Sequence, residues 1–286
     1  MKILITGVNG LVGNSLFKLL ENSNHEVFPS SRSFEGLAKY KVDITDRDEV
    51  DSFFESFSPD AVINCAAMAN VDLCEEDREL CWKVNVQGVQ NILSACKRHD
   101  THLTHISTDY IFDGKKESGI YQENDNPNPL GYYAESKLEG ERVILDGSVS
   151  HSILRTILVY GKHNKPNIVT FLKSALEEGK NVNLVSDQVR MPTFVDDLSR
   201  ACISASEKKE SGVFHICGPE QMSYLDIGNR IAEYFSFNKG LINHVRTKDL
   251  NQKAKRPFRT GFDLQKSKDK LNYITTKFED SLKLIF

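Results

Sequence analysis

In the stretch PLGYYAESKLEGE, residues 129–141, two adjacent tyrosines stand just before a lysine. A phenol paired with an ammonium can donate a proton at neutral pH. Alone, a phenol with a pKa of about 10 releases its proton reluctantly, but a nearby positive charge stabilises the phenolate left behind. Reduction of a ketone needs such a donor, because hydride goes to carbon and a proton must reach oxygen. Residues four apart share a helical face and residues five apart do not, so Tyr133, rather than Tyr132, is the partner of Lys137. Tyr273 and Lys277, in YITTK, have the same spacing. Spacing by itself therefore does not choose between the two pairs, and the elements that carry them must.

Over the first 160 residues, short apolar runs alternate with longer amphipathic ones. KILIT (2–6), HEVFP (25–29), YKVDI (40–44), AVINCAA (61–67), LTHIST (103–108) and SILRTILVY (152–160) read as strands. They are rich in Val, Ile and Thr and mostly lack alternation, as strands buried on both faces do. Helices are expected over 11–21, 46–57, about 79–98, and from about 132 onward. This strand–helix repetition implies a Rossmann-type doubly wound parallel α/β sheet with helices on both faces. After about residue 161 the rhythm changes. NIVTFLKSALEEG reads as a helix ended by Gly179, VNLVSDQ and VFHICGP (213–219) as strands, and SYLDIGNRIAEYF as a helix opened by a capping-box pair, Ser223 and Asp226. We expect a dinucleotide-binding domain over 1–160 and a smaller, interleaved substrate-binding lobe over 161–286.

Two segments converge on one sheet edge. TGVNGLVG (6–13) follows the first strand and opens the first helix, with glycines at 7, 10 and 13. Glycines there allow a tight turn, close approach of a pyrophosphate and close helix–strand packing, and the helix N-terminus attracts the anion. The expected dinucleotide contacts are Gly7, Asn9, Gly10, Leu11, Val12 and Gly13. Further contacts are expected at later strand ends, from Asp43 and Ile44 and from Cys65, Ala66 and Ala67. The second strand is followed by Ser30, Ser31 and Arg32 with no acid, which suits a 2′-phosphate and favours NADP(H), with NAD(H) as the alternative. Asp43 is either beside the adenine or a local cap. The fifth strand delivers Ser107, Thr108, Asp109 and Tyr110 at its C-terminal end, where open α/β sheets bind ligands. The Tyr133–Lys137 helix follows, whereas Tyr273–Lys277 has no such strand before it. Thr108 would hold the substrate oxygen, Tyr133 would protonate it, and Lys137 would tune the phenol and hold the nicotinamide ribose. Asn85, in WKVNVQG, either opens its helix for a proton-relay water or is an ordinary helix residue.

Composition excludes other classes. The 286 residues carry a net charge of −4 and no basic block, which argues against a nucleic-acid partner. No apolar run approaches the ~20 residues of a membrane span. The six cysteines form no CxxC pair, so reduced thiols of a cytoplasmic protein are expected, and no metal site. The acidic run Glu75, Glu76, Asp77 reads as a solvated helix start.

At TGVNGLVG, NCAA, VNVQG, ISTD and YAESK the chain resembles the extended short-chain dehydrogenase/reductases. More narrowly it is similar to their dTDP-4-dehydrorhamnose reductase branch, through NCAAMANVDLCEE (64–76), ISTDYIFDG (106–114), LRTILVYG (154–161), DQVRMPTFVDDLS (187–199) and KRPFRTGFD (255–263). The resemblance implies NADP(H)-dependent reduction of the C4 keto group of a nucleotide-activated 6-deoxyhexose by a monomer or homodimer. Thr108, Tyr133 and Lys137 would be catalytic, with Val71, Asp109, Tyr110 and Leu158 toward the sugar. Two positions depart from the branch. Leu158 stands where it has a tryptophan that helps hold the sugar, and Gly131 replaces an asparagine. An epimerase on the same scaffold is one alternative; a dehydratase is disfavoured because Tyr110 stands where an acid would follow Asp109. A non-catalytic NADP-binding regulatory subunit, similar to the methionine adenosyltransferase beta subunit, is another.

Overall fold

A computed structural model describes residues 1–286. In chain order the first seven strands are β1 (Lys2–Thr6), β2 (Glu26–Ser31), β3 (Tyr40–Lys41), β4 (Ala61–Asn64), β5 (His102–Thr108), β6 (Ile120–Tyr121) and β7 (His151–Thr156). The helices are α1 (Leu11–Leu20), α2 (Arg47–Phe57), α3 (Val71–Glu76), α4 (Arg78–Trp82), α5 (Gly88–His99), α6 (Tyr132–Asp146), α7 (Ile168–Glu177), α8 (Val195–Lys208) and α9 (Tyr224–Tyr234).

β1 shows why the apolar runs do not alternate. Ile3 and Ile5 enter one buried cluster, and Leu4 enters another on the opposite face. β4 divides the same way, with Ile63 on the first face and Val62 on the second. A strand covered on both sides has no polar face to display. The first face is covered by Leu16 and Leu20 of α1 and Leu198 and Cys202 of α8. The second is covered by Val50, Phe53 and Phe54 of α2, Val89, Ile92 and Cys96 of α5, and Ile144 of α6.

All of these strands but β6 join the strand at 212–216 in a seven-stranded sheet, in the order 212–216, β7, β5, β4, β1, β2, β3, while β6 pairs with Gly261–Phe262. All the pairings of the seven-stranded sheet are parallel. β1 lies between β2 and β4, so successive connections leave it in opposite directions and open a crevice at the strand C-termini. The strand at 212–216, expected in the smaller lobe, instead extends this sheet beside β7. A third cluster lies apart, formed by Leu172 and Leu176 of α7, Leu184, Ile227 and Ile231 of α9, and Phe278 and Leu282 near the C-terminus. Ser223 and Asp226 make the expected reciprocal cap of α9.

Three elements differ from the sequence pattern. Only Tyr40 and Lys41 of YKVDI join the ladder, although Val42 and Ile44 remain buried. SILRTILVY breaks after Thr156, because Leu158 turns into the left-handed region at φ +39° and Val159–Tyr160 then pairs with Thr193–Phe194. The helix expected over about 79–98 is α4 and α5 joined by a π-helical turn, Lys83–Gln87. Such turns insert a residue and often accompany functional sites.

Candidate active site

The glycine loop sits at the crevice beside β1. Gly7 has φ +66°, and a Cβ there would lie 2.9 Å from the Ala66 backbone nitrogen. A Cβ at Gly13 would lie 2.5 Å from the Gly7 carbonyl oxygen, so α1 can start this close to the loop only without a side chain there. Gly10, the N-cap of α1, contributes no side-chain cap, which leaves the first amides of the helix facing the crevice. Asn9 ties the loop to the segment after β2. It donates to Ser31 Oγ at 3.2 Å and to the Glu35 carbonyl at 2.7 Å, and accepts from Leu37 N at 2.9 Å.

Two cavities share this loop. One, of about 610 Å³, is lined by Gly7, Asn9 and Gly10, by Ser31 and Arg32, by Asp43 and Ile44, and by Cys65, Ala66 and Ala67. Asp43 lines this cavity and accepts from Thr45 N at 2.9 Å, while the cap of α2 is Asp46, whose side chain accepts from Asp48 N and Glu49 N. The other, of about 450 Å³, also touches Gly10, Cys65, Ala66 and Ala67 and adds Leu11, Val12 and Gly13. Thr108, Tyr133 and Lys137 all line it, together with Val71, Asp109, Tyr110 and Leu158. Ser107 Oγ is buried there without a hydrogen-bond partner, a free hydroxyl for a ligand. A glycine cradle running into a cavity with an orphaned buried hydroxyl fits an elongated polar group such as a dinucleotide.

Tyr133 and Tyr132 part ways at the start of α6. The Tyr133 ring meets Tyr110 edge to face, with centroids 5.9 Å apart. Burial pushes its phenol up from the ordinary value, and the nearby Thr108 hydroxyl opposes this. Tyr132 points outward, against Trp82 and beneath the Arg78 guanidinium, which lies 5.0 Å from its ring centroid. Lys137 Nζ donates to the Ile106 carbonyl at 2.7 Å and lies 3.0 Å from His105 Nε2. Burial brings its pKa down to about 8, against the opposing charge of Glu141. Tyr273–Lys277 is not helical, and the Tyr273 hydroxyl is spent on the Cys217 carbonyl at 2.9 Å.

Asn85 lines neither cavity. It sits in the π turn, 1% exposed, and its amide is fully occupied: Oδ1 accepts from Met68 N at 2.9 Å, and Nδ2 donates to Met68 O at 3.1 Å and to Ser136 Oγ at 3.0 Å. It joins the segment after β4 to the back of α6. A Cβ on Gly140 would come within 2.7 Å of the Asn85 carbonyl, so α6 crosses the opened turn at close range.

Glu75 does more than solvate a helix start. Its Oε1 accepts from Tyr132 N at 2.8 Å and so caps α6, whose own N-cap, Gly131, has no side chain. A Cβ at 131 would lie 2.7 Å from that oxygen. Glu75→Ala should therefore cost about 1 kcal/mol of stability. Adding Gly131→Asn, which supplies a cap from its own side chain, should recover most of the loss in a urea titration.

Arg190 was not singled out from the sequence. It is 1% exposed and lines the smaller cavity, with Nε 3.7 Å from Asp109 Oδ2. It donates to the carbonyls of Val189 at 2.8 Å and Pro257 at 2.6 Å, and so pins the 257–260 segment beside the cavity. Burial raises the Asp109 carboxyl above its usual range, and the Arg190 charge and the Thr260 hydroxyl oppose this. An arginine inside an irregular run carries no periodic signal. It lies in DQVRMPTFVDDLS, a string that carries the resemblance without marking the arginine.

Residues 1–286, the whole chain, match the family described as RmlD substrate binding domain. The chain belongs to that family. Within it, a dTDP-4-dehydrorhamnose reductase of Aggregatibacter actinomycetemcomitans is 35% identical over 99% of this chain and 98% of its own. The methionine adenosyltransferase 2 subunit beta of Danio rerio is 30% identical over 90% of this chain and 80% of its own. A crystal structure of dTDP-4-dehydrorhamnose reductase from Bacillus anthracis, in complex with NADP, superimposes with a TM-score of 0.90 at 27% identity, over 100% of this chain and 98% of that one. This RmlD-family chain has no group of three or more His, Cys, Asp or Glu placed to hold a metal ion, and no helix long and apolar enough to cross a membrane.

Proposed function

We propose that the protein is an NADP(H)-dependent reductase of the C4 keto group of a nucleotide-activated 6-deoxyhexose, acting on a dTDP-4-dehydrorhamnose-like substrate. One observation carries this reading: Thr108, Tyr133 and Lys137 line a single cavity that runs into the glycine loop. The bound nicotinamide supplies the hydride for the carbonyl carbon. Thr108 orients the carbonyl oxygen, Tyr133 gives it a proton, and Lys137 stabilises the phenolate that remains. Asp109, Tyr110, Val71 and Leu158 face the sugar. Leu158 offers less surface than the tryptophan of the branch, and its left-handed backbone, unusual for a bulky residue, holds it at the cavity wall.

The test is to mix the protein with NADPH and dTDP-4-keto-6-deoxymannose and follow the nicotinamide absorbance. Decay that requires both enzyme and sugar supports the reading; no decay at high enzyme concentration counts against it and favours the regulatory-subunit alternative or a different sugar. The assembled triad favours the enzyme, since a binding module needs the glycine loop but not a phenol, a hydroxyl and a lysine around one space.

Arg32 carries the cofactor preference. It is exposed and lines the larger cavity next to Ser31. A guanidinium on a 2′-phosphate makes charge-assisted hydrogen bonds worth about 2 kcal/mol. Arg32→Ala should thus weaken NADPH by more than about tenfold while NADH changes by less than about twofold, both read by fluorescence titration. Equal losses would refute the 2′-phosphate assignment.

A further inference from the structure

His105 lies in β5, wholly buried, and takes no part in the chemistry above. Its two ring nitrogens are both engaged. Nε2 is 3.0 Å from Lys137 Nζ, and Nδ1 is 3.1 Å from Asn64 Nδ2. Asn64 Oδ1 in turn accepts from Thr6 Oγ1 at 2.6 Å and from the Ala66 backbone nitrogen at 3.3 Å. A backbone N–H can only donate, so Ala66 orients the amide with its oxygen toward the backbone and its NH₂ toward the imidazole. Facing a donor, Nδ1 must accept, and the neutral ring carries its hydrogen on Nε2. That N–H points at the lysine nitrogen, whose other partner is a carbonyl, Ile106 O, at 2.7 Å. A free amine satisfies both partners, donating to the carbonyl and accepting from the ring. An ammonium, which has no lone pair, cannot.

We propose that His105 is a positioning residue, and that the Thr6–Asn64–His105 chain aims an Nε2–H at Lys137, tethers its amine to β5 and favours its uncharged form until a ligand in the cavity competes for it. The inference rests on the reductase reading, which gives Lys137 its role. Thr6 and Asn64 are each 1% exposed, so the chain ends inside the sheet and is not a path for protons to water. The titratable groups that face Lys137 are Glu141 on its own helix, Cys81 from α4, Cys65 after β4 and His105 from β5. Burial holds His105 well below its ordinary value, so the ring stays neutral.

Nitrogen NMR of the ligand-free protein tests this without substrate, so its outcome is separate from that of the NADPH assay. Ring ¹⁵N signals of His105, assigned by their loss in His105→Gln, should show Nε2 protonated and Nδ1 bare. A proton on Nδ1 in the wild-type protein would overturn the proposal, and this measurement needs no variant to be active. Asn64→Asp offers Nδ1 only acceptor oxygens and should reverse the tautomer. Nε2 then accepts from the ammonium, and the proton affinity of Lys137, followed at its Nζ signal, should rise at least tenfold. An unreversed tautomer, or a change below about twofold, counts against it.

Discussion

Tyr133→Phe will lower turnover by about 10³-fold and leave NADPH binding nearly intact, whereas Tyr132→Phe will lower it by less than about twofold. A positioned proton donor contributes about 10²–10⁴ to rate, and removing one hydroxyl removes the donor while sparing the ring. Tenfold in rate is about 1.4 kcal/mol, so the loss corresponds to about 4 kcal/mol of transition-state stabilisation. Tyr133 shares the cavity with Thr108, and its ring leans on Tyr110, a contact that phenylalanine keeps. The Tyr132 ring rests on Trp82 and under Arg78, away from the cavity, so its hydroxyl is dispensable. Single-turnover rates with the sugar substrate, beside NADPH titration by fluorescence, measure both quantities. A dead Tyr132→Phe with an active Tyr133→Phe would reverse the assignment.

Glu141→Ala will have the largest effect on stability, a loss of about 3–5 kcal/mol. Glu141 lies one turn beyond Lys137 on α6 and is 1% exposed. It takes Arg155 Nε at 3.0 Å and Nη2 at 2.7 Å, while Arg155 Nη1 donates to the Glu123 carbonyl at 3.2 Å. The pair thus links α6 to β7 and to the segment that follows β6. Removing the carboxylate strands a guanidinium that is 5% exposed, and the uncompensated charge accounts for most of the penalty. Replacing both residues together, Glu141→Leu with Arg155→Met, should cost much less than the single change, because no charge is left buried. Glu141 is also the main group supporting the charge of Lys137. The single variant should therefore lose lysine protonation at lower pH, and the alkaline fall in kcat/KM should move downward. Chemical denaturation followed by two probes measures the first effect, and a pH–rate profile at permissive temperature the second. A single variant as stable as the double one would show that the ion pair is not buried as described.

Much of this was legible in local patterns. The four-residue interval chose Tyr133 over Tyr132, because a helix repeats its faces at that interval wherever it sits. The unbroken apolar runs marked strands covered on both faces, and the three glycines marked the turn between β1 and α1. These signals are short-range, set by backbone geometry within a few residues, and every expected site residue but Asn85 lines one of the two cavities that share the glycine loop.

Contacts between distant parts of the chain decided the rest. Asn85 is spent on the backbone of Met68 and on Ser136, which no neighbour in WKVNVQG announces. Glu75 caps a helix that starts 57 residues later, and Arg190 joins a segment 67 residues away. The strand at 212–216 has the same apolar pattern whether it edges a small lobe or extends the main sheet, and only its hydrogen bonds to β7 distinguish the two. The amino-acid order determines which elements form and which side chains stand at their ends. The packing of those elements determines which side chains meet, because burial and hydrogen-bond satisfaction are properties of the whole assembled chain.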